Sequence, residues 1–465
     1  MTEKKHAIDK LREFRSREYG RLSRIDSRMN GFHPMPWVPQ ELKREWVSIV
    51  KQSQTNWLPK VVEAIGERLN VVGFRDPKSG EDARGWELFV RNGMQDHQDL
   101  VHRGALTYGV SFVMVMPRGE DGPTIKAFTP MQMTAIYQRA QDRFPMLAGF
   151  KTKVYNDGEP DLEEWTVVDA ESVKVFLGEA DSAGDQYRLV EEYAHGLGVC
   201  PVVRFVNQES FSESQPPMSE VEPLFAIQER LTSLHLDMAT AGKYSAFRQK
   251  YAINMDIKPG SLKPGPNAVW VAKSDGSNDQ PGKFGDFPQT DTRGYKESIE
   301  LTYKEFAARS SLPMRAMSPD MVNVSGDALE FAEKDLNQKV ADRQRAFGRA
   351  WSTVLNLAEF AAGYVTSAFK HDATVVWYDN TAHDPLALYQ GLMNLKSIGF
   401  PTSVLVELIP AGKLTADQIQ EVKDFSDEDK HSMANRWFGY TEEGQRAVKQ
   451  IEEDHRKSEG EKEAA

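Results

Sequence analysis

Cysteine is almost missing from this chain: among 465 residues there is one, Cys200. A single thiol excludes intrachain disulfides and cysteine-based metal clusters. In the setting HGLGVCPVV it reads as a small buried hydrophobe. Long apolar runs are missing as well. No stretch approaches the ~18 consecutive apolar residues of a membrane span, and the opening MTEKKHAIDKLREFRSREYG is polar where a signal peptide would be apolar. The expectation is a protein made and kept in a cytosol-like compartment, with no membrane partner. Positive charge is in deficit, with 57 Lys and Arg against 69 Asp and Glu and a net charge of −12. Phosphate contact is driven by Lys and Arg releasing counterions, so DNA that touches such a chain is passed along rather than gripped.

Chemical motifs are scarce too. A P-loop needs four residues between its glycines and then Lys followed by Ser or Thr, because backbone amides must wrap the phosphates. Gly276 to Gly282 encloses five residues, and Phe284 follows Lys283. None of the ten histidines pairs at the i, i+4 spacing of two ligands on one helical face. His97 and His102 come closest and read as solvated helix residues. Asp275, Ser277 and Asp279 imitate the opening of a calcium loop, but Gln280 stands where glycine is needed and no Glu closes it. Gly196 and Gly198 precede a strand rather than a helix N-terminus, which argues against dinucleotide binding. Asn323-Val324-Ser325 is a glycosylation sequon without a secretion signal. The expectation is no catalytic residue, no metal, no cofactor and no enzyme.

What is present is a globular composition, 40% hydrophobic and 27% charged, long enough for about three folding units. Residues 1–39 begin with nine Lys and Arg against five Asp and Glu before Pro34, Pro36 and Pro39. They read as a basic N-terminal arm or a plain solvated helix. In NWLPKVVEAIGERLNVVGFR, Trp57, Val61, Ile65 and Leu69 recur every four positions, then Val71 and Phe74 turn toward a strand. A helix over about Asp96 to Leu106 and the strand VSFVMVMP come next. From Thr124 to Asn207 short β-prone runs alternate with Gly, Asp and Pro. Residues 40–218 therefore read as one α+β domain ending in the linker QESFSESQPPMSE.

After the linker the pattern changes to long helices. Leu224, Ile227, Leu231, Leu234, Met238 and Ala241 form a heptad-like stripe over 219–247. Residues 248–292 are a Pro- and Gly-rich β excursion, and a second helix runs from Arg293 to Ser310 with Tyr295, Ile299, Tyr303 and Phe306 on one face. Pro313 ends it. The loop MRAMSPDMVNVSG leads to a very long periodic segment, Leu329 to Val365, whose start Asp327 and Glu330 mark as a capping-box variant. Gly348 is a candidate kink. The strand ATVVWYD, further helices from 381 and a charged tail over 441–465 complete the chain; from His383 onward there are sixteen Asp and Glu against ten Lys and Arg.

This order, an α+β domain, long helix, small β insert, second helix, short loop, very long helix and helical end, resembles phage portal proteins of the SPP1-like class, particularly those of actinobacterial phages. The strings NWLPKVVEAIGERLNVVGFR, SLP, SGDAL, VVWYD and SIGFP carry the resemblance over about Gln40 to Phe425. It implies a portal fold: wing at 40–218, stem helices at 219–247 and 293–312, clip at 248–292, tunnel loop at 313–326, long helix and wing return strand at 327–380, and a helical crown at 381–440. The chain departs from larger relatives in its short acidic C-terminus.

The resemblance further implies a homo-oligomeric, dodecameric ring at one capsid vertex, through which double-stranded DNA passes without sequence specificity. Its implied partners are the major capsid protein, the terminase large subunit and a head-to-tail adaptor; its location is the virion, after assembly in the host bacterial cytoplasm. Met314, Arg315, Met317, Met321, Val322, Asn323 and Ser325 would form the tunnel loop; without the resemblance the same segment reads equally as a helix-helix connection whose methionines fill core gaps. Lys296, Lys304, Arg309, Lys334 and Lys339 are candidates to face the channel, and Lys258, Lys263, Trp270 and Lys273 to dock terminase and adaptor. Periodicity alone explains the helical stripes equally by an intramolecular hairpin and by side-by-side packing in a ring. Two rivals remain: another minor virion head protein, which would lack this helix series, and a metal-dependent enzyme whose carboxylates meet only in the fold, which would show turnover.

Overall fold

The computed structural model describes residues 6–34, 43–75, 84–117, 122–156, 159–179, 182–212, 215–246, 250–253, 283–286, 291–317, 326–365, 373–378, 385–400 and 405. The chain divides into two compact units, Met1–Val375 and Val376–Ala465.

The first helix, α1 (Ala7–Met29), is neither a detached arm nor a solvated helix. Ile8, Leu11, Leu22 and Ile25 are buried on one side of it, and Ile8 and Leu11 pack against Trp165, Val167 and Phe176. Lys10, Arg17 and Arg24 stay exposed, but three of its basic residues, which suggested solvent, point inward to partners: Arg12 donates to Tyr187 Oη at 2.6 Å, Arg21 pairs with Glu222 at 2.5 Å and Arg28 with Glu229 at 2.8 Å. Arginine stems cover apolar surface while their heads find acceptors, so a basic stripe need not be a solvated one.

Then come α2 (Lys43–Ser53), α3 (Leu58–Gly66), β1 (Val71–Arg75), α4 (Gly85–Arg91) and α5 (Met94–Tyr108). Gly109 caps α5 at φ +92, with its N–H on Ala105 O at 2.8 Å. A Cβ there would fall on the Pro217 carbonyl, so glycine is needed for both conformation and space.

Two antiparallel sheets follow. One has the order β3 (Thr124–Phe128), β2 (Val110–Met116), β9 (Val202–Val206); the other is a meander of β4 (Met133–Ile136), β5 (Leu147–Asn156), β6 (Glu159–Val168), β7 (Ser172–Gly178) and β8 (Arg188–Ala194). β4 is a strand the sequence pattern did not reveal, since MTAI has little alternation to read. Residues 112–116 of β2 are buried on both faces, as expected of a strand covered on each side. Met114 and Met116 join Met133, Ala148 and Val202 in one apolar cluster.

The long helices are α6 (Phe225–Ala246), α7 (Arg293–Ser310) and α8 (Gly326–Ala361), with the short strands β10 (Lys250–Ile253) and β11 (Lys283–Asp286) between the first two. The helix expected from Ser219 opens later because Pro223, inside a 3-10 turn at Glu222–Leu224, has no N–H to give. α8 has 36 residues, about 54 Å at ~1.5 Å per residue. It is helical through Gly348, starts at Gly326 rather than after an Asp327 cap, and ends at Ala361 rather than Val365. Its C-terminal half is the core of the first unit. Trp351 lies 4.8 Å from the Phe205 ring and 5.2 Å from Phe89, and Phe347 stacks on His102 at 5.4 Å. β12 (Thr374–Trp377) lies where that unit ends, and α9 (Pro385–Ser397) belongs to the second unit. Of the helices expected beyond Pro401, only Leu405 is among the described residues.

His102, read from sequence as solvated, is wholly buried. Its Nδ1 lies 2.9 Å from Leu69 O, and its Nε2 accepts from Trp351 Nε1 at 2.8 Å.

Candidate functional site

The site is the helical hairpin of α6 and α7 with the turn that leads into α8. Ser219 fixes its start. Its Oγ donates to Thr107 O at 2.6 Å and accepts from the N–H of Val221 at 3.1 Å, which ties the entry of α6 to the end of α5. One turn into α6, buried Gln228 accepts from Trp57 N at 3.0 Å and donates to Thr55 O at 2.5 Å. Further on, Leu236 packs with Ile49 and Val50 of α2.

β10 and β11 then pair antiparallel, from Lys250↔Asp286 to Ile253↔Lys283, and the chain returns along α7. Arg230 pairs with Glu305, and Tyr303 Oη lies 3.3 Å from His235 Nε2. Positions rise along α6 as they fall along α7, so the two helices run antiparallel. α7 buries Ile299, Thr302, Phe306, Ala307 and Ser310, while Tyr295 and Tyr303 are half-buried. On α6 the expected stripe is split: Leu224, Leu231 and Ala241 are buried, but Ile227, Leu234 and Met238 remain half-exposed. Packing within the chain covers only part of that apolar face.

Ser311 ends α7 in the left-handed region, φ 63, with its N–H on Ala307 O. Met314–Ala316 then forms one 3-10 turn. Two buried glutamates hold this corner. Glu220 accepts from Lys339 Nζ at 3.1 Å and from Arg343 Nη2 at 2.5 Å, and Lys339 also donates to Ser310 O at 3.0 Å. Glu333 takes Arg68 at 3.3 Å and Arg315. The entry to α6, the end of α7 and the turn beyond it are thus fastened to one side of α8. Burial by itself would raise the Glu220 carboxyl, but the charges of Lys339 and Arg343 with their hydrogen bonds outweigh it and hold the group below its ordinary value.

This geometry sorts the residues singled out from sequence. Lys339 is not free to face a channel, because its ammonium is spent on Glu220 and Ser310. Met317 is buried, 7% exposed, so it fills the corner rather than presenting a loop surface. Arg315 is partly exposed, but its charge is met by Glu333. Met314 is half-buried. Lys296, Lys304, Arg309 and Lys334 are exposed, with Lys296 3.7 Å from Glu300 one turn on. Met321, Val322, Asn323 and Ser325, and with them Lys258, Lys263, Trp270 and Lys273, lie outside the described residues. Among the described residues no cluster of His, Cys, Asp or Glu could hold a metal ion, and no helix is long and apolar enough to cross a membrane.

The sequence reading passed over Glu220, Glu333, Arg68 and Arg343. A signal for two of them was there. Glu333 and Arg343 fall in the spaced apolar series Leu329, Leu336, Val340, Phe347 and Trp351, and a charge on a buried stripe requires a partner of opposite sign. Glu220 gave no such sign, because it sits at the end of a segment with linker composition.

A long helix, a β hairpin, an antiparallel return, a short turn and a longer helix are set beside an α+β domain, and this architecture has a family. The chain belongs to the phage portal proteins of the SPP1 Gp6-like type, whose family model matches residues 51–432. Among its curated relatives is the portal protein of Mycobacterium phage D29, 24% identical over 314 residues, 64% of this chain and 63% of that protein. The portal protein of Mycobacterium phage L5 is 24% identical over 315 residues, with the same shares of the two chains. The chain thus spans 63% of the length of the curated relatives it matches. Among solved structures, a chain of the neck of an empty GTA particle, computed with C6 symmetry, aligns at TM-score 0.42 and 11% identity over 78% of this chain and 92% of that one. A chain of the native GTA neck, computed with C12 symmetry, aligns at TM-score 0.40 and 12% identity over 85% and 96%.

Proposed function

We propose that this chain is the subunit of a portal ring at one capsid vertex of a tailed phage, the passage through which DNA is packaged and ejected. One observation carries the reading: a member of the portal family has α6 and α7 as an antiparallel hairpin whose apolar stripe is incompletely covered, at Ile227, Leu234 and Met238. A closed ring covers such a stripe with the same element of the next copy. The bland alternative, a hairpin satisfied within one chain, leaves those residues unexplained.

In this reading α6 and α7 are the stem, 248–292 the clip and 313–326 the tunnel loop. Exposed Lys296, Lys304, Arg309 and Lys334 are the basic groups available to phosphate, and the net charge of −12 keeps that contact weak enough for a duplex to slide. The subunit is structural and not an enzyme; a separate ATPase drives translocation. It meets the major capsid protein at the vertex, the terminase large subunit during packaging and a head-to-tail adaptor afterwards, with Lys258, Lys263, Trp270 and Lys273 on the docking end. It is assembled in the host bacterial cytoplasm and ends in the virion.

Negative-stain electron microscopy with native mass spectrometry tests this directly. Rings with an axial hole, about twelve subunits each, are expected. A protein that stays monomeric at high concentration would overturn the reading.

A further inference from the structure

The two buried glutamates at the corner between α7 and α8 hold it in unlike ways. Glu220 takes Lys339 and Arg343, whose side chains are only 19% and 10% exposed. Glu333 takes Arg68, 20% exposed, and Arg315, 37% exposed. Arg68 is tied a second time, from Nη1 to Ala64 O at 2.9 Å. Among the described residues Arg315 has Glu333 as its one acceptor. Breaking a buried ion pair is costly when it strands a charge. Departure of Arg315 strands none, because Glu333 keeps Arg68 and a half-exposed guanidinium passes to water. Of the four cations at this corner, Arg315 is therefore the one that can let go.

The backbone around Arg315 suits such a release. Lys339 holds the Ser310 carbonyl at 3.0 Å, which pins α7 to its last residue. Ser311 follows at φ 63, among the described residues the only residue other than glycine in the left-handed region. A Cβ makes that conformation unfavourable, so it is a place where the chain gains by turning. Beyond it the turn is closed by its own short bonds, Ala316 N to Pro313 O at 2.9 Å and Met317 N to Met314 O at 3.0 Å. Besides the Arg315 bridge, burial of Met317 holds this turn down. Release uncovers that apolar side chain, which makes the open form the minor one.

We propose that Met314–Met317 is a releasable latch, in which Arg315 exchanges the Glu333 carboxylate for a phosphate of a duplex in the ring and the turn swings about Ser311. The duplex in this proposal rests on the ring reading above; the latch itself does not. A guanidinium offers phosphate the same two-pronged set of donors that it offers a carboxylate, so the exchange is close to balanced. Glu220 with its two cations stays shut meanwhile and keeps the entry of α6 and the end of α7 in place.

Hydrogen-exchange mass spectrometry of the full chain, resolved to single amides, reads the latch at Ala316 and Met317, with the last turn of α7 as the internal reference. Arg315→Gln is expected to speed exchange at those two amides about fivefold and to leave the reference unchanged. Arg315→Lys, which keeps the charge and loses the fork, is expected to fall between. Added to assembled rings, a short blunt DNA duplex is expected to bring the unmodified chain to the Arg315→Gln rate, beyond the effect of sodium chloride at equal ionic strength, and to leave Arg315→Gln unchanged. Inorganic phosphate that matches the duplex would uphold the exchange and make a free anion its source. No change in Arg315→Gln, an equal rise along α7, or slower exchange with the duplex would overturn the latch and leave the ring standing. The Arg315→Gln effect in a chain that never forms rings would uphold the latch and sink the ring.

Discussion

Protonation of His102 should be one of the steepest acid sensitivities of the first unit, and the structure sets its sign. The Leu69 carbonyl can only accept, so Nδ1 must carry the proton; the Trp351 indole can only donate, so Nε2 must be bare. A second proton would set two N–H groups against each other where no part of the ring meets water. Burial therefore pushes the imidazole down to about 3 from an ordinary 6.5, with the Leu69 hydrogen bond opposing. Because the folded value lies below the unfolded one, the unfolded chain binds more protons between them. The stabilisation is complete above about pH 6.5 and is lost as pH falls toward 3, by about 1.4 kcal/mol per pH unit, or roughly 4–5 kcal/mol across the window. Urea denaturation of the unmodified chain and of His102→Gln, compared from pH 4 to 7.5, isolates this term. The difference in unfolding free energy should shrink as the solution is acidified and stay level above pH 7. Trp351→Phe keeps most of the packing but leaves Nε2 without its donor, at a cost of about 1–3 kcal/mol, and should flatten the pH dependence. A stability difference that does not change with pH between 4 and 7 would refute the argument.

The corner glutamates give predictions of unequal size. Glu220→Gln strands Lys339 and Arg343 in a buried site and should cost about 3–5 kcal/mol in denaturation, and in the unmodified chain its contribution should fade only below its ordinary titration range, since its folded value is depressed. Arg315→Ala leaves Glu333 with Arg68 and removes a half-exposed partner, so a loss of about 1 kcal/mol is expected against about 3 for Glu333→Gln; equal losses would refute the bridge. Gly109→Ala adds a Cβ against the Pro217 carbonyl in a left-handed backbone and should lower soluble yield and stability by more than about 2 kcal/mol. Deleting Ser318 to Val324 should leave rings and procapsids intact while packaging stops or DNA leaks; normal packaging and retention would remove the loop from the mechanism.

Much of this was legible before any coordinates. Periodicity located α7 at Arg293–Ser310 to the residue and found α8 and most strands, because a helix or strand with one buried face must repeat its apolar residues at its own period. The order of those elements pointed to the portal family. What it could not show is pairing between distant residues. The chain carries no mark that Arg21 meets Glu222, that Trp351 meets His102, or that Lys339 meets Glu220 rather than solvent, because each pair lies more than a hundred positions apart in sequence. The basic N-terminal stretch was misjudged for one physical reason: composition records what a side chain is, while its exposure depends on what the fold brings against it. Sequence alone determined most of the helices and strands and pointed to the family, because one-sided burial writes its own period; only tertiary structure decided which charges are buried and spent, and which apolar residues stay partly uncovered.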